Sequence, residues 1–110
     1  MVEDSEIAAE GLAKLFGKYG KKTNIYYSGN EFLQNFKKYP KDIHICLDYT
    51  LGDINGIEIA KILHKEGYTK LYLFTGWDRF MLEEKEEVPR YIKVFLKTET
   101  DSILKQLGCY

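Results

Sequence analysis

The sequence predicts an α/β domain built on a parallel sheet, and three observations carry that expectation. Helix-patterned and strand-patterned segments alternate from one end of the chain to the other. The central strand-like runs are nearly continuous in apolar character, as expected of strands covered on both faces. Three polar residues suited to chemistry, Asp48, Thr75 and Lys97, each stand directly after such a run.

Ser5 is a good N-cap, and Ile7, Ala8, Leu12, Leu15, Phe16 and Tyr19 follow at helical spacing until Gly20 and the pair Lys21-Lys22. The β-rich run "TNIYYS" (23–28) predicts a short strand. Asn30 is placed to cap a second helix with Phe32, Leu33, Phe36 and Tyr39 on one face, stopped before Pro40 because a residue preceding proline avoids the helical region. "IHICL" (43–47) is the next strand, and it delivers Asp48 at its carboxyl end. After a loop closed by Asn55-Gly56, a third helix carries Ile57, Ile59, Ala60 and Leu63 and ends at Gly67. "KLYLF" (70–74) is a strand ending at Thr75-Gly76. Residues 78–87, "DRFMLEEKEE", predict a fourth helix whose apolar residues occupy only its first half, and Pro89 closes it. "YIKVFL" (91–96) is the last strand, ending at Lys97, and a short helix from Asp101 to Leu107 completes the pattern.

A chain of 110 residues is expected to form a single domain, 1–110, large enough to bury a core. Its 45% hydrophobic and 30% charged residues are those of a soluble globular protein. Sixteen basic against seventeen acidic residues give a net charge of −1, which supplies no field for nucleic acid or an anionic membrane. Cys46 in an apolar strand and Cys109 near the end form no framework of bridges and read as reduced thiols. "MVEDSEIAAEGL" lacks the basic start and apolar core of a signal peptide, so a cytoplasmic location is expected.

In an open α/β sheet the strand ends on one side share a crevice where ligands bind, so Asp48, Thr75 and Lys97 are expected to converge. Their chemistry is complementary. A carboxylate can attack phosphorus, a hydroxyl can donate to a phosphoryl oxygen, and an ammonium can neutralise its charge. The acidic pair Glu3-Asp4, just before the first helix, adds the hard oxygen ligands that Mg²⁺ requires. His44 and His64 read as structural, and Trp77, after the Thr75-Gly76 turn, either covers the site or meets a partner.

These residues, with the loop "YTLGDING" ending at Gly56, resemble the receiver domain of bacterial two-component response regulators of the chemotaxis-regulator type. The resemblance covers nearly the whole chain. It implies a flavodoxin-like fold with strand order 2-1-3-4-5 and phosphorylation of Asp48 by a histidine kinase or phosphotransfer protein. It also implies Mg²⁺ held by Glu3, Asp4, Asp48 and the backbone carbonyl of Thr50, with Thr75 turning towards the phosphoryl group and Lys97 pairing with it. Signalling would proceed by contact with a downstream protein, and the chain would not be an enzyme in its own right.

Three departures from the family pattern stand out. Thr98 follows Lys97 where the family usually has proline, Val94 occupies the place of the common switch aromatic, and only Met1-Val2 precede Glu3-Asp4 where a first strand belongs. They motivate an alternative, a phosphorylation-deficient pseudo-receiver that acts as an interaction module. A phosphohydrolase of the haloacid-dehalogenase type would need a second aspartate two residues after Asp48, where Thr50 stands. The short first strand predicts one of two compensations: "TNIYYS" pairs directly with "IHICL", or a second molecule or partner supplies a strand, as in a homodimer. Either would leave Glu3-Asp4 on a frayed terminus.

Overall fold

The computed structural model describes residues 1–76, 79–97 and 103–105. Three parallel strands, β1 (Ile45–Asp48), β2 (Leu71–Thr75) and β3 (Ile92–Leu96), lie side by side in that order. Their register pairs Ile45 with Leu71 and Leu71 with Ile92, so the carboxyl ends of all three strands finish on one side.

The side-chain period of two separates this sheet into two faces. Ile45, Leu47, Leu71, Leu73, Ile92 and Val94 belong to one apolar cluster, and Cys46, Tyr72, Phe74 and Phe95 to another. The first is covered by helix α3 (Gly56–Lys65) through Ile57, Ile59, Ala60 and Leu63, and by Phe32 and Phe36. The second is covered by Phe16 of helix α1 (Glu6–Lys18) and by Ile103 and Leu104. β1 and β2 are buried at every position, as their unbroken apolar runs require, whereas the edge strand β3 leaves Lys93 exposed.

Capping chemistry sets the helix starts. Ser5 Oγ accepts from Ala8 N at 3.3 Å, and Asn55 Oδ1 accepts from Glu58 N at 2.9 Å. Helix α2 (Gly29–Leu33) is capped by Ser28, not Asn30, and a short 3₁₀ turn, Phe36–Lys38, follows it. Helix α4 (Arg79–Glu83) stops where its apolar residues stop, short of the predicted end at residue 87. Ile7, expected on the packed face of α1, is 88% exposed. Of the predicted last helix only 103–105 are described, and they are helical; Trp77, Thr98 and Cys109 lie outside the described residues.

The first strand is present as a stub, and the direct pairing predicted to compensate for its loss does not form. Val2 forms parallel bridges to Tyr26 on one side and Leu47 on the other. Val2 N donates to Cys46 O (2.8 Å) and Asp48 N to Val2 O (2.9 Å), while Tyr26 N donates to Met1 O (2.9 Å) and Glu3 N to Tyr26 O (3.0 Å). "TNIYYS" therefore does not pair with "IHICL"; the stub separates them. In chain order the five extended segments surround Val2, surround Tyr26, then form β1, β2 and β3, so their order across the sheet is 2-1-3-4-5. Below the stub a cavity of about 150 Å³ opens between the two flanking edges, lined by Met1, Phe16, Tyr26, Ile45 and Cys46 among others.

Candidate functional site

The stub also places Glu3, which is 4% exposed in the middle of the sheet and not on a frayed end. Asp48 at the end of β1 is 5% exposed, and Thr75 at the end of β2 is 4% exposed. Lys97 directly follows β3, and its amide continues the ladder by donating to Thr75 O at 2.9 Å. The expected convergence of strand ends is thus built by register.

Lys97 Nζ sits 3.2 Å from Asp48 Oδ1 and donates to Glu3 Oε1 at 3.3 Å. One ammonium spans two buried carboxylates. Burial works against this ammonium, but the charges of Asp48 and Glu3 outweigh it and hold its pKa above the ordinary lysine value. Glu3 is pushed up to about 7 by burial and by its hydrogen bond to and charge repulsion from Asp48, with Lys97 opposing. Two carboxylates crowded in low dielectric exceed what one half-exposed lysine neutralises.

Glu3, Asp4 and Asp48 each offer a carboxylate oxygen, and the three oxygens lie within 4.8 Å of one another. This donor set fits Mg²⁺: all hard oxygen, two members buried, and one, Asp4, exposed towards the solvent from which coordinating waters come. Thr50, two residues beyond Asp48, is exposed in the following loop. Gly56 closes that loop because space demands it. A Cβ there would collide with the Asp48 carbonyl and with Leu73 Cδ1, so the requirement is room beside β1 rather than an unusual φ.

Residues 1–106 match the sequence family described as response regulator receiver domain. The chain belongs to that family. No curated protein matches it. Among solved structures, the receiver domain of the Francisella response regulator 1452 is similar at a TM-score of 0.77 and 18% identity, over 97% of this chain and 89% of that one. A fusion titled as carrying amino acids 181–211 of the yeast Spc42 trimeric coiled coil is similar at a TM-score of 0.76 and 21% identity, over 97% and 73%. At these identities the likeness is one of fold, and it agrees with the flavodoxin-like expectation. No helix among the described residues of this receiver domain is long and apolar enough to cross a membrane.

Two parts of the site's surroundings escaped the sequence reading. Asp53 lies in the loop after β1, yet its carboxylate accepts from Gly29 N (3.2 Å), Asn30 N (2.8 Å) and Ile54 N (2.9 Å), tying that loop to the start of α2. The Asn30 and Gly29 bonds help hold its pKa below the usual carboxylate value. Tyr49 and Glu86, 37 residues apart, meet across the other side of the loop. Only the turn-like "GDING" hinted at the first, and nothing local announced the second. His44 and His64 stay structural: Nδ1 of the first lies 2.8 Å from Tyr72 Oη, and the second stacks on Tyr91 at 3.7 Å.

Proposed function

We propose that this receiver domain accepts a phosphoryl group on Asp48 from a histidine kinase or phosphotransfer protein. The observation that carries the reading is the Lys97 ammonium lying between Asp48 and Glu3 within an acidic group suited to a divalent cation. An Asp48 oxygen forms the bond to phosphorus while the bond from phosphorus to the donor's histidine nitrogen breaks, and the imidazole leaves with the electron pair. Lys97 is free to keep its contact with Asp48 as charge builds on the phosphoryl oxygens, and Thr75, at the neighbouring strand end, would donate its hydroxyl to one of them. Glu3, Asp4, Asp48 and the Thr50 carbonyl would hold Mg²⁺, whose chemistry when bound is to neutralise those oxygens. The 1–110 chain acts as one such unit and signals by protein contact.

Intact-mass analysis after incubation with acetyl phosphate and Mg²⁺ tests this. The parent chain should gain one phosphoryl group and Asp48→Asn none. Equal gain in both would remove Asp48 from the role. No gain in the parent would leave the chain a pseudo-receiver that works as an interaction module.

A further inference from the structure

Glu86 lies just beyond α4, where its amide and that of Lys85 both donate to Leu82 O, at 3.0 and 2.9 Å. Its carboxylate reaches the loop that follows the acceptor strand. Tyr49 Oη donates to Glu86 Oε2 at 2.8 Å, and Asn55 Nδ2 donates to the same oxygen at 3.4 Å. Those two residues are the ends of the loop. Tyr49 adjoins Asp48, and Asn55 caps α3. The Tyr49 backbone is pinned as well, its N donating to Phe74 O and its O accepting from Gly56 N, both at 3.0 Å. Its ring packs with the α3-side core, on the same face as Ile45 and Leu47. Donation to the Glu86 carboxylate, then burial, raises the Tyr49 pKa, as a hydroxyl bonded to an anion requires. A single oxygen thus holds both ends of the acceptor loop from the α3 side of the sheet.

We propose that Tyr49, Asn55 and Glu86 form a latch, closed before phosphorylation, that couples the state of Asp48 to the end of α4. The proposal rests on the phosphoacceptor reading above. Phosphorylation adds roughly −1.5 to −2 charges to the residue next to Tyr49, and any adjustment of the loop moves both donors relative to Glu86. The carboxylate either follows them or releases them. Because the carbonyl that anchors Glu86 belongs to the fully buried Leu82, release propagates into α4, whose Phe80 and Met81 are exposed. Linkage makes the coupling reciprocal, so breaking the latch must also alter the acceptor.

Hydrogen exchange of the Lys85 and Glu86 amides, measured alongside intact mass with and without acetyl phosphate and Mg²⁺, tests the latch. In the parent, phosphorylation should speed their exchange about fivefold or more. In Tyr49→Phe, which keeps the ring packing, they should exchange fast from the outset and respond less than about twofold. Glu86→Ala should match it, Glu86→Gln should restore part of the response, and Tyr49→Phe combined with Glu86→Ala should add nothing further. All variants should still gain the phosphoryl mass, with an altered rate of its loss. A labelled parent whose two amides do not respond, or a Tyr49→Phe variant that responds like the parent, overturns the latch alone. A parent that gains no mass overturns the phosphoacceptor reading and the latch with it.

Discussion

Glu3 is the residue on which the charge balance of the site turns. Its folded pKa of about 7 stands above the ordinary value of 4.5, so between those values the folded chain binds more protons than the unfolded one. Stability attached to this group is therefore full below pH 4.5 and is lost as pH rises to about 7. Thermal melts of the parent and Glu3→Gln across pH 5–8 should differ in slope, the variant losing the decline that the parent shows over that window. Parallel slopes would mean that Glu3 ionises as it does in solution. Mg²⁺ should bind weakly, in the roughly micromolar-to-millimolar range of wet carboxylate sites, and Asp4→Asn should weaken it further; a calorimetric titration unchanged by that substitution would take Asp4 out of the site. As candidates, Asp48, Thr75 and Lys97 were legible because each follows an apolar run, and Glu3-Asp4 because it is an acidic pair just before the first helix. The burial of Glu3 was not, since it depends on two bridges made by Val2 to segments 24 and 45 residues away.

At the scale of elements, local signals located the strands and helices, and long-range contacts decided their ends. Ser28 and Asn30 both suit an N-cap, and the choice between them was made by Asp53, which occupies the Asn30 amide. The end of α4 was expected at residue 87, but the helix stops at Glu83, where apolar residues give way to "EEKEE". Gly56 joins two elements: it lets α3 begin in contact with the Asp48 carbonyl, and no other residue leaves that space. Gly56→Ala should push α3 away from β1 and cost about 1–3 kcal/mol, the usual range for an overpacked site. A denaturant midpoint unchanged in this variant would show that the loop yields without strain. Labelling of Asp48 should fall with stability, since the displaced carbonyl belongs to Asp48 itself.

The whole molecule hangs on three residues at its amino end. Met1, Val2 and Glu3 fill only the upper part of the central strand position, and the cavity of about 150 Å³ beneath them separates the Tyr26 segment from β1. Extending the chain by four apolar residues such as Ile-Leu-Ile-Val should continue the strand into that space. Burying four such side chains contributes about 6–12 kcal/mol, and ordering the residues costs a similar amount, about 6–12 kcal/mol. The balance is set by the packing that filling this open cleft restores between the two flanking edges. New ladder partners for the two flanking edges act in the same direction. The extended chain should therefore melt roughly 10 °C or more above the parent, and a Gly-Ser extension of the same length should not. Because the extension continues through Met1 and Val2 into Glu3, it should also stiffen the acidic pair and speed labelling of Asp48 by acetyl phosphate. An apolar extension that leaves the melting temperature where it was would mean that the lower cavity closes in solution without a strand, and that the three-residue stub alone carries the sheet.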